Sequence, residues 1–335
     1  MTGRQTFEAA DFTLQSGERL PAAKLVYRTL GTLSPARDNV VLIPSWYSGT
    51  DREAELCMVG ADRAIDPGRH FIVFTNLLSG GVSSSPSNTP APFEAGRFPR
   101  VTLHDNVRLQ HMLLTERLGI EHLRLIAGWS MGGCQAYQWG AQYPGMMDAI
   151  APLCCSARTG HFNKIFLLSL RRALELDPAF EDGFYTRPPV RGLRAFATIY
   201  AGWGFSEPFY RTEAFRQFGA STAAEFSARF WEPGFLHLDA NDLLALLRTW
   251  EDGDISAGAT YGDDLGRALG AIKARAIVMP GEYDSYFPPV DSRAEVACMP
   301  NAECRPIPSI WGHMTLWNPA DRPFIDAALR ELLAA

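Results

Sequence analysis

The first half of the chain alternates short apolar runs with stretches whose apolar residues recur at helical spacing. The apolar runs are continuous and rich in β-branched residues, which is typical of parallel strands that are buried on both faces. They cover residues 39–44, 70–76, 123–128 and 147–153. Helices are predicted over residues 104–118, and over 131–142 directly after Ser130. This alternation predicts an α/β fold with right-handed crossovers between parallel strands.

The pattern changes between residues 156 and 265, where helical periodicity, aromatic residues and prolines replace the strand pattern. Helices are predicted there over 165–176 and 241–250. Strand-like runs return at 274–279 and 303–308, and a last amphipathic helix follows at 321–333. Because the late strands resume the earlier pattern, we predict one α/β core, residues 1–155 and 266–335, with a helical lid inserted at 156–265. Two separate domains are the alternative. The long Ser-, Pro- and Gly-rich stretch 79–92 is predicted to be a loop, and such loops are often functional.

Composition and charge limit the partners of the protein. The 335 residues are 47% hydrophobic and 20% charged, as in a globular chain, and the net charge of −6 argues against a nucleic-acid partner. No apolar run approaches the ~20 residues of a membrane span, so we expect no membrane partner. Residues 1–8 lack the basic start and apolar stretch of a signal peptide. A cytoplasmic location is therefore expected.

The cysteines and histidines show no metal-binding spacing. The six cysteines lack paired C-x-x-C spacing, and the histidines form neither H-E-x-x-H nor H-x-H. A phosphate loop of the G-x-x-x-x-G-K-[S/T] type is absent from the sequence as well. We therefore expect no metal site and no bound cofactor.

Residues 128–132, Gly-Trp-Ser-Met-Gly, match G-x-S-x-G between a predicted strand and a predicted helix. In that context the motif is a nucleophile elbow, in which a strained turn lifts the hydroxyl of Ser130 clear of the sheet. Small neighbours are needed because a side chain would clash there. The backbone N–H of Met131 would then face the developing oxyanion at the helix N-terminus. A glycine-rich turn that merely holds a serine is the alternative.

A serine hydroxyl needs a base, and the base needs an acid that orients it. In α/β-hydrolases the acid and the base follow the serine in the order Asp/Glu, then His. Asp284 lies in the turn after the strand-like run 274–279, and His313 follows the run 303–308. Glu282 is the rival acid, but Asp284 lies deeper in the turn and has the shorter side chain. We predict a triad of Ser130, Asp284 and His313.

A second oxyanion donor is expected in the loop after the first predicted strand. Residues 44–50 form that loop, and the backbone N–H of Trp46 or of Tyr47 is the candidate. An ordinary aromatic turn is an equally good explanation for these residues.

With these residues identified, the chain resembles the homoserine O-acetyltransferase family of α/β-hydrolase-fold acyltransferases. The resemblance extends over most of the chain. It is carried by the segments 75–78, 98–99, 102–107, 130–136, 156–163, 238–241, 284–289 and 312–313, together with Trp139, Tyr143-Pro144, Arg171, Ala173 and Asp177-Pro178.

The resemblance implies ping-pong acyl transfer. Ser130 would take an acyl group, in the family from acetyl-CoA, and pass it to a hydroxyl acceptor, with His313 as base and then acid and Asp284 orienting it. The donor and the acceptor would be small molecules, acyl-CoA would be a co-substrate, and a homodimer through the lid is expected. Arg158 and Arg171 are candidates for binding a carboxylate or a CoA phosphate, although paired surface arginines are the commoner case.

Two departures from the family pattern argue against homoserine as acceptor. Met314 stands where homoserine-using members carry an acidic residue, whose loss would remove a charge-assisted hydrogen bond worth ~1.5–3 kcal/mol. Trp129 stands before the nucleophile, where a small residue is usual. The sequence thus favours an acyltransferase with another acceptor and an apolar pocket beside His313, with Trp129 and Met314 as candidate substrate-binding residues. A hydrolase, with water as acceptor, is the alternative, and a non-catalytic binding protein is a more remote one.

Overall fold

A computed structural model describes residues 3–334. One eight-stranded sheet, with the strand order β1-β2-β4-β3-β5-β6-β7-β8, forms its centre. The strands are β1 Gln5–Thr13, β2 Arg19–Leu30, β3 Val40–Pro44, β4 Phe71–Thr75, β5 Leu123–Trp129, β6 Met147–Leu153, β7 Arg275–Val278 and β8 Ala302–Cys304. The strands β3 to β8 pair in parallel, as their continuous apolar runs predicted.

The two N-terminal strands were not predicted from the sequence. β1 and β2 pair antiparallel, and β2 pairs antiparallel with β4. Their burial alternates along the strand, and Asp11, at φ 50°, is left out of the register between Ala10 and Phe12. A search for continuous apolar runs overlooks such strands, because only one of their faces is buried.

Helices flank the sheet and occupy the segment between β6 and β7. They are α1 Asp51–Met58, α2 Leu103–Met112, α3 Met131–Gln142, α4 His161–Glu175, α5 Val190–Gly204, α6 Glu207–Arg211, α7 Ala223–Phe226, α8 Glu232–Leu236, α9 Ala240–Glu251, α10 Leu265–Gly270, α11 Pro289–Val296 and α12 Arg322–Ala334. The predicted helices in the core and at the C-terminus correspond to α2, α3 and α12, and those predicted between 156 and 265 to α4 and α9. The helix predicted to end at 118 changes after Met112 into a π-helical turn, Leu113–Arg117.

The segment between β6 and β7 leaves and rejoins the sheet through two strands of chain that pair with each other near residues 158–159 and 253–254; this pair is called the neck below. Arg158 and Asp254 form an isolated antiparallel bridge, and the N–H of Thr159 donates to the carbonyl of Gly253 at 2.8 Å. Helices α4 to α9 lie between these two ends of the neck. They pack through aromatic rings, among them Phe166, Tyr200 and Trp250.

The elements that carry the candidate chemistry meet at one edge of the sheet. The loop after β3, the turn after β5 and the loop after β7 all follow the carboxyl ends of parallel strands, which lie on the same edge. None of the helices in residues 3–334 has both the length and the apolar character that crossing a membrane requires.

Candidate active site

Ser130 occupies a strained turn between β5 and α3. Its φ of 56° and ψ of −128° are unfavourable for a residue with a side chain, and such outliers cluster at functional sites. The neighbouring glycines make the turn possible. A Cβ on Gly128 would lie 2.2 Å from the carbonyl of Gly132, and a Cβ on Gly132 would lie 2.6 Å from the carbonyl oxygen of Pro44. The local geometry is that of a nucleophile elbow.

His313 lies between Ser130 and Asp284. Its Nε2 is 3.0 Å from the Oγ of Ser130, and its Nδ1 is 2.8 Å from Oδ2 of Asp284. The three residues are only 3–4% exposed. The structure thus brings together the three residues that the sequence singled out, within the hydrogen-bond distances that nucleophilic catalysis requires.

The second oxygen of Asp284 is held by the backbone. Oδ1 accepts hydrogen bonds from the N–H groups of Tyr286 at 2.8 Å and Phe287 at 3.2 Å. This leaves Oδ2 directed at the imidazole. The rival acid Glu282 is exposed, and its backbone N–H donates to the carbonyl of Ile307. The geometry therefore favours Asp284 as the orienting acid.

Aromatic rings enclose the imidazole of His313. Trp129 lies 4.6 Å from it between centroids, Tyr286 4.5 Å and Phe287 5.7 Å. The indole N–H of Trp129 also donates to the backbone carbonyl of His313 at 3.2 Å. The sequence suggested Trp129 as a substrate-binding residue. Its contacts with His313 were missed by sequence reasoning because the two residues are 184 positions apart, and a role of Trp129 in substrate binding stays a prediction.

The candidate oxyanion donors lie on two elements beside Ser130. Met131 is the first residue of α3, so its N–H has no partner within the helix and lies at the positive end of the helix dipole. Trp46 and Tyr47 follow β3 and are buried. Within residues 3–334, neither of their N–H groups donates to a protein acceptor. Buried backbone donors are rarely left unpaired, so both remain candidates for the second donor.

The side chains of this loop are fixed by other contacts. The indole of Trp46 meets that of Trp129 edge to face at 5.1 Å. The hydroxyl of Tyr47 donates to the carbonyl of Leu243 in α9 at 3.0 Å. Burial raises the pKa of Tyr47 well above its ordinary value, so the phenol stays neutral.

The two candidate arginines are engaged by carboxylates. Arg158 pairs with Asp254 at 2.6 Å in the neck, and Arg171 pairs with Glu251 at 2.7 Å. These ion pairs account for both guanidinium groups, and a role in substrate binding stays a prediction. Met314 is buried directly after His313, so its apolar side chain stands where a carboxylate would be needed to bind an ammonium group.

Cys154 was not expected at the site. It follows β6, the neighbour of β5 in the sheet, and its ligating atom lies within 4.8 Å of those of Asp284 and His313. Burial, reinforced by the charge of Asp284, raises the pKa of its thiol well above the ordinary value. A neutral thiol is a poor metal ligand, and Asp284 and His313 already bond to each other. The arrangement of Asp284 and His313 therefore fits a triad with Ser130 better than a metal centre with Cys154. The position of Cys154 at a strand end was the available clue.

Comparison with known proteins agrees with this geometry. Residues 38–319 match the alpha/beta hydrolase fold family. The chain belongs to this family. It is therefore an enzyme of the alpha/beta hydrolase type, and the fold predicted from the sequence is confirmed.

Esterases are among its most similar relatives. A probable esterase of Corynebacterium glutamicum is 36% identical over 98% of this chain and 95% of the relative. An ethyl acetate hydrolase of Pseudomonas veronii is also 36% identical, over 96% of this chain and 93% of the relative. The solved structure of the acetyl esterase MekB superimposes with a TM-score of 0.97 at 35% identity, covering 100% of this chain and 97% of that one.

The resemblance to homoserine O-acetyltransferases is also confirmed. The enzyme of Trichormus variabilis is 31% identical over 90% of this chain and 86% of its own. The esterases are nevertheless the more similar group. The comparisons thus favour the hydrolase alternative over the acyltransferase that the sequence analysis preferred, and they give no support to acyl-CoA as a co-substrate.

Proposed function

We propose that this enzyme is a serine esterase that hydrolyses small acetyl esters. The observation that carries the proposal is the position of His313, within hydrogen-bond distance of both the hydroxyl of Ser130 and the carboxylate of Asp284. The names of two similar proteins, an ethyl acetate hydrolase and an acetyl esterase, support the acetyl group as the acyl part.

Acylation follows from this arrangement. Nε2 of His313 takes the proton of Ser130 as the Oγ attacks the ester carbonyl, and the carbonyl oxygen becomes an oxyanion. The N–H of Met131, with that of Trp46 or Tyr47, would donate to the oxyanion. The tetrahedral intermediate then expels the alcohol, which takes the proton from His313. The acetyl group remains bound to Ser130.

Deacylation repeats these steps with water. His313 takes one proton from water as the water oxygen attacks the acetyl carbonyl. The second tetrahedral intermediate then releases acetic acid, which ionises to acetate in solution, while His313 returns its proton to Ser130. The carboxylate of Asp284 stabilises the imidazolium in both halves and keeps Nδ1 protonated. None of these reaction steps uses a cofactor.

The surroundings of His313 support water, and not homoserine, as the acceptor. Met314 replaces an acidic residue, and the rings of Trp129, Tyr286 and Phe287 line the base. An ammonium group bound there would lose its hydration without gaining a carboxylate partner. Acetyl transfer to another alcohol is the second candidate, and the 31% identity to a homoserine O-acetyltransferase favours it.

The test is to incubate the protein with ethyl acetate and to quantify acetate and ethanol. We expect both in equal amounts, and we expect Ser130→Ala and His313→Ala to lower turnover by several orders of magnitude. With acetyl-CoA and homoserine, no O-acetylhomoserine should form. The proposal fails if either variant keeps more than a tenth of the wild-type rate. It also fails if O-acetylhomoserine forms faster than free acetate.

A further inference from the structure

A buried glutamine joins the two elements that carry the candidate oxyanion donors. Gln135 lies on α3 and is fully buried. Its Nε2 donates to the backbone carbonyl of Ser45 at 2.9 Å and to that of Met131 at 3.1 Å. Ser45 begins the loop that carries Trp46 and Tyr47, and Met131 begins the nucleophile helix. One amide group therefore bridges both sides of the candidate oxyanion hole.

The orientation of this amide is fixed by its partners. Both groups that face Nε2 are carbonyl oxygens, which can only accept, so the nitrogen must point at them. Oε1 of Gln135 accepts from Nε2 of Gln110 at 2.6 Å, and Oε1 of Gln110 accepts from the indole of Trp139 at 2.8 Å. Gln110 and Trp139 are fully buried as well. Every donor and acceptor of the Gln135 side chain is used, which makes it a rigid support.

The bond to Ser45 controls the direction of a candidate donor. The carbonyl of Ser45 and the N–H of Trp46 belong to one planar trans peptide unit, so they point in opposite directions. Holding the carbonyl on the α3 side thereby sets the direction of the Trp46 N–H. It also sets the start of the next peptide unit, which carries the N–H of Tyr47.

A close approach between the two backbones supports the same conclusion. A Cβ on Gly132 would lie 2.6 Å from the carbonyl oxygen of Pro44 and 3.4 Å from that of Ser45. The first turn of α3 therefore contacts the start of the loop directly. The loop is tied to β4 separately, because the N–H of Ser45 donates to the carbonyl of Thr75 and the N–H of Leu77 to the hydroxyl of Ser45.

We infer that Gln135 is a positioning residue for the oxyanion hole: it sets the spacing between the N–H of Met131 and the second donor on the loop 45–47. The inference rests on the proposed function and adds to it a residue outside the triad. Gln135 acts on the tetrahedral intermediates, where negative charge develops, and its effect on the ground-state ester is small.

The test replaces Gln135 by Met, which keeps the size of the side chain and removes its hydrogen bonds. With p-nitrophenyl acetate we expect kcat to fall about 10- to 100-fold, on the scale of a misplaced oxyanion donor, while KM changes little. The midpoint of the pH–rate profile should not move, because the contacts of His313 with Ser130 and Asp284 are untouched. Gln138→Met is the matched control, since Gln138 lies on the same helix and its amide bonds to Gln142.

A second readout separates positioning from a general loss of structure. Trifluoroacetone adds to the serine hydroxyl and leaves an oxyanion in the hole, so its inhibition constant should rise by the same factor as kcat/KM falls. Gln135→Glu should lose at least as much, because its carboxylate oxygens would face two carbonyl oxygens. If Gln135→Met does not fold, Gln110→Met carries the test, with a smaller but equally proportional loss in kcat/KM and inhibitor affinity.

The outcomes distinguish this inference from the proposed function. A folded Gln135→Met that keeps kcat/KM within two-fold of wild type overturns the inference, and so does a loss of kcat/KM without a matching loss of inhibitor affinity. An unchanged Gln110→Met overturns it where that variant carries the test. The proposed function fails separately, if wild type is inactive on the ester or Ser130→Ala remains active.

Discussion

At the scale of single residues, the two carboxylate oxygens of Asp284 have different hydrogen-bond partners. Oδ1 accepts from two backbone N–H groups, and Oδ2 accepts from Nδ1 of His313. This division keeps the proton of the imidazole on Nδ1 and leaves Nε2 as an acceptor for the Ser130 proton. The contact therefore fixes the tautomer of the base as well as its position.

Asp284→Asn should lower kcat by about three to four orders of magnitude while the protein stays folded. The amide oxygen would take the place of Oδ1 against the two N–H donors, so the NH₂ group would face Nδ1. His313 would then carry its proton on Nε2 and could not accept one from Ser130. Ester hydrolysis measured beside Glu282→Gln checks this, because Glu282 is exposed and its variant should keep the wild-type rate. Similar losses in both variants would contradict the assignment of Asp284.

Trp129 tests whether the residue before the nucleophile serves the base or the substrate. Trp129→Phe keeps a ring against His313 but removes the indole N–H that donates to its backbone carbonyl. Loss of a neutral hydrogen bond of about 1 kcal/mol corresponds to a fall in kcat of about five-fold, with KM unchanged. Steady-state kinetics on ethyl acetate measures both constants. A rise in KM at constant kcat would instead restore the substrate-binding role that the sequence suggested.

The meeting of Ser130, Asp284 and His313 could be predicted because each of them follows a strand in a fixed order along the chain. The residues that support the triad could not be predicted this way. Gln135 and Ser45 are 90 positions apart, and nothing in either local sequence indicates that an amide will reach that carbonyl. Such partners are determined by how β3 and α3 pack, which only the folded chain shows.

At the scale of secondary-structure elements, continuous burial made β3 to β6 easy to predict, and alternating burial concealed β1 and β2. The strand β8 is only three residues long, Ala302–Cys304, although the strand pattern extends to residue 308. Beyond it, Ile307 still pairs with Gly281 in an isolated bridge. The strand-like pattern thus correctly predicted a strand before the His313 loop, but not its length. Pro306 and Pro308 have no N–H to donate to a neighbouring strand, which shortens β8.

The contact between α11 and the start of the inserted helical segment has a predictable pH dependence. Glu295 on α11 is buried and accepts from the N–H of Ala157 at 2.8 Å. Burial raises the pKa of Glu295 from 4.5 to about 7. Between pH 4.5 and about pH 7, Glu295 therefore keeps its proton in the folded state, whereas it has lost this proton in the unfolded state. Its contribution to stability is complete below pH 4.5 and is lost as the pH rises through about 7.

Glu295→Gln should remove this dependence, because the amide keeps an oxygen for the Ala157 N–H and cannot ionise. Relative to wild type, the free energy of unfolding of the variant should increase between pH 5 and pH 8. A pKa shift of this size corresponds to a gain of at most about 3 kcal/mol. Urea unfolding of both proteins at the two pH values provides the measurement. An identical pH dependence in the two proteins would mean that the pKa of Glu295 is the same in the folded and the unfolded state.

At the scale of the whole molecule, the helical segment between β6 and β7 contacts the loop that carries His313. A Cβ on Gly312, the residue before His313, would lie 2.9 Å from the N of Ser206 and 3.3 Å from the carbonyl oxygen of Gly204. The hydroxyl of Ser206 donates to the carbonyl of Ile310. The loop that carries the base is thus packed directly against the end of α5. Together with the burial of Ser130, this contact confines the space around the nucleophile.

Confinement predicts a steep preference for short acyl groups. Ser130 is only 3% exposed, and the ring of Trp129, the residue before it, is packed edge to face against Trp46. Each methylene forced into a well-packed site costs on the order of 1 kcal/mol or more, so six additional methylenes cannot be accommodated without displacing side chains. We therefore expect kcat/KM to fall at least about 100-fold from p-nitrophenyl acetate to p-nitrophenyl octanoate. The concentration of active enzyme is determined by titration with a serine-reactive phosphonate, so that both rates are expressed per active site. Equal values for the two esters would mean that the helices over the site open widely enough to admit long chains, and that the aromatic enclosure seen around His313 does not select the substrate.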